Sequence, residues 1–399
     1  MRSFLNSPRL HPVMTKRLLL ALVTVFALAA RAEETIPSPP QIEATAYFLM
    51  DAASGAVLAE HNADVQLPPA SLTKMMTTYV LAKEMAAGRV RKDDMVVISE
   101  NAWSQNPLFA GSSLMYIKPG VDVSVQDLEW GVVISSGNDA TVALAEHLAG
   151  SEAVFAEMMN KAAQELGMTG AYFVNSHGLP DPRHLMTARD LAILSQAIIT
   201  RYPEHYAIYK EREFTFNNIR QYNRNTLLGV DPTVDGLKTG HTSEAGYCLV
   251  ASALRDDMRL IAVVMGTAST KARKEAAGSL LNYGFRFYET VEVFGAMHEL
   301  EKPRVWKGQQ DLVSVGLIDP AVLTLPRGKA KDLVTSVELD PQLVAPLAVG
   351  DRVGTLKLSA GDETVYETPV VALQAVEAGG FFVRLWDTIV MWISALFAT

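Results

Sequence analysis

Ser71-Leu72-Thr73-Lys74 sets a hydroxyl and an amine three positions apart. At a helix start, positions i and i+3 share a face, so the amine can reach the hydroxyl and take its proton, making a weak nucleophile usable. A lysine three residues after a serine is most often only solvated. Here, however, Leu72 to Ala87 is apolar almost all the way round, as in a buried central helix, and a charged Lys74 in its first turn needs a reason. Ser136-Gly137-Asn138 falls in a break between two helical patterns. A hydroxyl and an amide exposed on a short loop can relay a proton and hold a substrate amide, or simply cap the next helix. Lys238-Thr239-Gly240-His241 closes a strand pattern. Lys238 supplies fixed positive charge, Thr239 a hydroxyl for a carboxylate, and Gly240 room for a substrate backbone against the strand edge. The bland alternative is an edge strand protected by Lys238.

The surrounding elements must bring these three segments together. Ala44 to Asp51 and Ala56 to Asn62, around Ala53-Ser54-Gly55, read as a hairpin. Pro68-Pro69 stops the extended chain and the Leu72 to Ala87 helix follows. Helical patterns then dominate to Tyr206: Val125 to Ile134, Asp139 to Leu148, Glu152 to Leu166 and Ala188 to Thr200. Strand character returns in Val234 to His241, Tyr247 to Leu254 and Met258 to Gly266, with turns short enough for antiparallel pairing, and a helix from Lys271 to Glu289 follows. Strands at both ends with helices between them imply one sheet built from the two ends, with the helical part packed against it, over residues 33–288. Beyond it, Val313 to Ile318, Ala321 to Leu325, Leu333 to Leu339 and Val353 to Leu358 indicate a small all-β domain, 289–378. Residues 379–399 form an amphipathic helix. Phe381, Phe382, Leu385, Trp386, Ile389, Val390, Ile393, Leu396 and Phe397 make its apolar face, Arg384 and Asp387 lie toward the polar side, and Trp386 and Trp392 suit a headgroup boundary. A terminal helix docked on its own protein is the alternative.

Composition narrows the function class. The chain has 399 residues, 35 Lys+Arg against 44 Asp+Glu and 49% hydrophobic residues, which suits a globular enzyme with more than one domain. A net charge of -9 argues against a nucleic-acid partner, whose phosphates require a basic surface. The single cysteine, Cys248, excludes an internal disulfide and a cysteine-based zinc site, and reads as a small buried residue on a strand. His177 and His184 lack the spacing of a helical zinc-binding pair, so neither metal nor cofactor is expected. Residues 1–32 read as an export signal. Arg2, Arg9, Lys16 and Arg17 precede an apolar run, Leu18 to Ala30, too short to span a bilayer, and Ala30-Arg31-Ala32 supplies a cleavage pattern. Removing them takes away five basic and no acidic residues, so the charge moves from -9 to -14. Met14 is an alternative start.

The order SxxK, SGN, KTG, each occurring once, closely resembles the signature of penicillin-interacting serine enzymes, and specifically the low-molecular-weight penicillin-binding proteins that are D-alanyl-D-alanine carboxypeptidases. Asn175-Ser176-His177-Gly178-Leu179, Asn223-Arg224-Asn225 and Val234-Asp235-Gly236-Leu237 extend the resemblance, which spans nearly the whole mature chain. Pro180-Asp181-Pro182-Arg183-His184 is a mild departure. The resemblance implies an α/β (α+β) β-lactamase/transpeptidase-like catalytic domain, a small all-β domain and a C-terminal amphipathic anchor. It makes Ser71 the nucleophile and Lys74 its base, with burial and the neighbouring Lys238 cation lowering the Lys74 pKa. Ser136 would shuttle a proton to the leaving amine and Asn138 would orient the acyl-side amide. The backbone N–H groups of Ser71 and His241 would form the oxyanion hole. Thr239 with Arg273 and Arg224 would hold the substrate carboxylate, although an arginine on a helix surface is usually just solvated. The implied partners are peptidoglycan pentapeptide stems, β-lactam antibiotics and the periplasmic face of a bacterial inner membrane. Three other readings stay open: a β-lactamase, which needs a dedicated deacylating Glu; a D,D-endopeptidase, which typically lacks the β-domain; and a non-catalytic sensor, whose acylated Ser71 would persist.

Overall fold

The computed structural model describes residues 36–396, with side chains to residue 394. The expected signal segment, the Leu396 side chain and Phe397 lie outside the described residues. The chain parts into Met1–Ser38 and Pro39–Thr399, and among the described residues every strand and helix lies in the second unit.

The hairpin β1 (Ala46–Asp51) and β2 (Val57–His61) comes from the start of the catalytic segment, and the meander β3 (Val234–Thr242), β4 (Gly246–Arg255) and β5 (Met258–Thr267) from its end. They form one antiparallel sheet in the order β2-β1-β5-β4-β3, joined where Leu49 faces Ala262. The two-ended sheet expected from the sequence is therefore present, with β3 at its edge. Its strands bury Phe48, Val250, Ile261 and Val263 fully or nearly so, against helices on the same core.

A 3-10 turn, Ala70–Thr73, leads into α1 (Lys74–Ala86), whose first nine residues are all buried, as its all-round apolar pattern requires. The helix therefore starts three residues later than Ser71. Around it stand α2 (Val125–Trp130), α3 (Asn138–Ala149), α4 (Glu152–Glu165) and α5 (Ala188–Arg201). Ser151 caps α4, accepting from Val154 N, and Thr187 with Asp190 makes a reciprocal capping box on α5. A π-helical turn, Gly131–Ser135, ends α2 and delivers Ser136 in the left-handed region at φ 59°. Two short antiparallel pairs went unread in the sequence: Met95–Val97 with Asp122–Ser124, and Glu213–Phe216 with Ile219–Tyr222. Their strands are three or four residues long, too short for alternation to register.

After α6 (Thr270–Phe287), which stops short of Glu289 because Tyr288 already begins a strand, come β6 (Tyr288–Phe294), β7 (His298–Glu301), β8 (Val315–Leu317), β9 (Ala321–Pro326), β10 (Leu333–Leu339), β11 (Arg352–Ala360) and β12 (Glu363–Ala372). They pair as a β6-β9 ribbon and a five-stranded sheet, β7-β8-β12-β11-β10. This all-β region has its own core of Val313, Val315, Val353, Leu356 and Val370. It touches the hairpin through Thr290 Oγ1, which donates to Asp51 Oδ2 at 2.6 Å, and through the Ser54 and Thr324 hydroxyls, also 2.6 Å apart.

The terminal helix α7 (Phe381–Leu396) exposes Phe381, Phe382, Trp386 and Trp392. No described helix is long and apolar enough to cross a membrane. Asp387 corrects the sequence reading. It does not stand free on the polar side but is buried, its Oδ2 accepting from Lys307 N at 2.5 Å and its Oδ1 facing Arg304 at 3.5 Å.

Candidate active site

Ser71 and Lys74 come together at the junction of turn and helix. Lys74 is fully buried and its Nζ has three neighbours: Ser71 Oγ at 3.1 Å, Asn138 Oδ1 at 2.6 Å and the His177 carbonyl at 2.8 Å. The last two can only accept. A neutral amine has two protons and one lone pair, so donating to both acceptors leaves the lone pair for the Ser71 hydroxyl. Burial, first of all, brings the Lys74 pKa down to about 7, Arg224 adding to the fall while Asp139 and Glu152 oppose it. Arg224 thus joins Lys238 as an assisting cation, since the repulsion between the two buried amines is mutual.

Lys238 is buried as well, 3% exposed, so it does not guard the sheet edge as a solvated lysine would. Burial, and then the charges of Lys74, Arg224 and Arg273, push its amine well below the ordinary lysine range. Each of the two buried amines thus makes the protonated form of the other harder to hold. Thr239 is buried beside it, and Gly240 has a packing task in addition to the one expected. A Cβ there would lie 2.8 Å from the Pro69 carbonyl, so the glycine lets β3 close on the Ser71 turn. His241, beyond it, is exposed and stacks on Tyr247 with ring centroids 3.9 Å apart.

Ser136 and Asn138 are buried, 1% and 3% exposed, where an exposed loop was expected. The segment Ser112–Ile117 covers them: Asn138 Nδ2 donates to Ser112 Oγ at 2.8 Å, and Asn138 N to the Ser113 carbonyl at 2.8 Å. Asp139 fixes that segment by accepting from the N–H groups of Met115, Tyr116 and Ile117. Ser136 Oγ has no hydrogen-bond partner among the described residues, which leaves a buried hydroxyl available to a substrate.

Arg273 reaches the same site from α6. It is not solvated: only 7% exposed, it donates from Nη1 to the Gly240 and Cys248 carbonyls at 2.9 and 3.3 Å. Arg224 is exposed, on the segment between the short hairpin and β3, and its charge is felt at Lys74, Lys238 and Arg273. Sequence reasoning missed Asp139 and Glu152 as supports. Glu152 Oε1 accepts from Ser176 N and Oγ at 3.0 and 2.6 Å and lies 3.3 Å from His177 Nε2, holding the loop whose carbonyl grips Lys74. Both acids engage backbone groups distant in sequence, which no local pattern signals.

A half-buried serine paired with a fully buried lysine, beside a second lysine on a sheet edge, is the geometry of acyl transfer through a serine. Comparison with known proteins decides the family. The D-alanyl-D-alanine carboxypeptidase family matches residues 33–269, and the penicillin-binding protein 5 C-terminal domain matches 288–378. The chain belongs to the D-alanyl-D-alanine carboxypeptidase family. It is 47% identical to D-alanyl-D-alanine carboxypeptidase DacC of Escherichia coli (strain K12) over 374 residues, covering 93% of this chain and 94% of the relative. Against DacA of the same strain it is 46% identical over 384 residues, covering 94% and 95%. Among solved structures, penicillin binding protein 5 from Haemophilus influenzae superposes with a TM-score of 0.82 at 44% identity, covering 86% of this chain and 99% of that one. This family carries serine-type carboxypeptidase activity, so the chain is a D-Ala-D-Ala carboxypeptidase of cell-wall synthesis and a target of β-lactams.

Proposed function

We propose that Ser71 carries the reaction, with Lys74 as its base. The observation behind this is the Lys74 amine 3.1 Å from Ser71 Oγ, with two acceptor-only partners taking its protons. Ser71 Oγ attacks the carbonyl of the penultimate D-alanine of a pentapeptide stem while its proton passes to Lys74. The oxyanion forms against the backbone N–H groups of Ser71 and His241. Ser136 relays a proton to the departing D-alanine amine. Water then frees the shortened peptide from Ser71. Asn138 spends its carbonyl on Lys74 and one amide proton on Ser112, so the other proton is the one that meets the acyl-side amide. Lys238, Thr239, Gly240 and Arg273, with Arg224, bind the terminal carboxylate side. Since Arg273 Nη1 already holds the Gly240 carbonyl, Arg273 both shapes β3 and supplies charge. A β-lactam would acylate the same hydroxyl.

The chain divides, in this reading, into an export leader 1–32, a catalytic domain 33–288, a β-domain 289–378 and an anchor helix 379–399. The exposed Phe381, Phe382, Trp386 and Trp392 support seating of that helix in the periplasmic surface of the inner membrane. No cofactor or metal enters the scheme.

Release of D-alanine from a D-Ala-D-Ala-ended peptide tests the carboxylate clamp. Amidating the terminal carboxylate removes a charge-assisted contact of about 1.5 to 3 kcal/mol and lowers kcat/KM roughly 10- to 100-fold. Equal rates on both peptides would mean that the enzyme cuts internal bonds as an endopeptidase.

A further inference from the structure

The loop from Phe173 to His184 makes two hydrogen-bonded contacts with residues 70–74, and only one of them involves Lys74. At the other, Val174 N donates to His184 Nδ1 at 3.2 Å. A backbone N–H can only donate, so Nδ1 is bare and the proton of the neutral ring sits on Nε2. Nε2 lies 2.8 Å from Thr73 Oγ1 and therefore donates to it. The one hydroxyl proton of Thr73 goes to the Ala70 carbonyl at 2.8 Å. Every donor and acceptor along this chain has one compatible direction.

Ala70 is the residue that needs holding. It has φ 49°, in the left-handed region that a side chain disfavours, and it immediately precedes Ser71. The same loop packs tightly on it: a Cβ at Gly178, itself at φ 85°, would fall 1.9 Å from the Ala70 carbonyl oxygen, so only glycine fits. Ala70, Thr73 and His184 are all almost completely buried, and the edge of the Phe173 ring meets the His184 ring with centroids 5.6 Å apart.

We propose that His184, acting through Thr73, is a positioning residue that fixes the Ala70 carbonyl and thereby the direction of Ser71 Oγ toward Lys74. This rests on Ser71 being the nucleophile. One loop then sets both halves of the reacting pair: the His177 carbonyl holds the amine and the His184 ring holds the turn carrying the hydroxyl. Burial first, and the nearby His177, keep His184 neutral down to about pH 4, so the relay is intact wherever Lys74 works as a base.

Thr73→Val removes the hydroxyl and keeps the shape, whereas Thr73→Ser keeps the hydroxyl. In Thr73→Val, kcat for D-alanine release and the rate of penicillin acylation fall roughly 10- to 100-fold, the cost of misdirecting a reacting atom, while KM stays within about twofold. Thr73→Ser retains most of the rate. His184→Gln slows the enzyme, and His184→Gln combined with Thr73→Val is little slower than Thr73→Val alone, because both break one chain of bonds. Should His184→Gln fail to fold, the two Thr73 variants, compared at matched thermal stability, still decide. The inference is overturned if folded Thr73→Val reacts within about twofold of wild type, if Thr73→Ser is as slow as Thr73→Val, or if the loss lies in KM alone. Ser71→Ala, run alongside, separates the two claims. Penicillin uptake by Ser71→Ala would sink the nucleophile assignment itself. An inert Ser71→Ala beside an unimpaired Thr73→Val would sink only the positioning role.

Discussion

Lys74 works as a base because of where its three contacts point. Its free-amine form is the reactive one, and the burial that lowers its pKa to about 7 makes that form available at neutral pH. Penicillin acylation of wild-type protein should therefore rise with pH through about 7 and level off above it. A rate constant independent of pH between about 5 and 8 would contradict this assignment of the base. Lys74→Arg, which cannot shed its proton, should be inert toward both penicillin and peptide. At this scale the sequence was a good guide where chemistry is local. Ser71 and Lys74 are one helical turn apart, so their spacing alone brings them together. It was a poor guide to environment. Ser136, Asn138 and Lys238 were read as exposed or edge-guarding, yet all are buried, because burial depends on segments remote in the chain, such as Ser112–Ile117 over Asn138.

Elements hold the pair by anchoring loops through buried side chains. Asp139, at the start of α3, accepts from the backbone N–H groups of Met115, Tyr116, Ile117 and Ala140. Asp139→Ala would strand those buried donors and should destabilise the fold by about 3 kcal/mol or more, read as a lowered urea midpoint. A shift of under about 0.5 kcal/mol would show that the segment is held by other means. Gly240→Ala should also act at this scale. The added methyl meets the Pro69 carbonyl 2.8 Å away and pushes β3 off the Ser71 turn, so acylation slows even if the protein stays folded. Normal acylation by a folded Gly240→Ala would show that the contact is slack. Long elements were legible: α4 and α5 carry caps and strong periodicity, and the β3-β4-β5 meander has short polar turns. The strand pairs 95–97/122–124 and 213–216/219–222 were not, since their hydrogen bonds rather than their side chains define them.

At the scale of the whole molecule, the two-ended sheet and the separate β-domain follow from the order of strand and helix patterns. The junctions do not. Asp51–Thr290 and Ser54–Thr324 join residues far apart in sequence, and Asp387 reaches back to Lys307. That last bond makes α7 a helix fixed to the β-domain, with its aromatic side chains facing outward. Deleting 381–399 should release the protein from lipid vesicles without changing turnover on small peptides, and high salt should not release the full chain, because burial of each large apolar side chain is worth about 1.5 to 3 kcal/mol. Retention of the truncated protein on vesicles would make α7 a docked terminal helix. Asp387→Ala should still bind vesicles but exchange the Lys307 amide proton faster; unchanged exchange would mean that the bond does not hold the helix. The central claim is the Ser71 acyl-enzyme, and intact mass after exposure to a penicillin tests it most directly. The wild-type chain should gain the mass of one penicillin, localised by peptide mapping to the Ser71 peptide, and Ser71→Ala should gain none. A single adduct on Ser71→Ala, or one mapped to any other hydroxyl of the wild-type protein, would contradict the account.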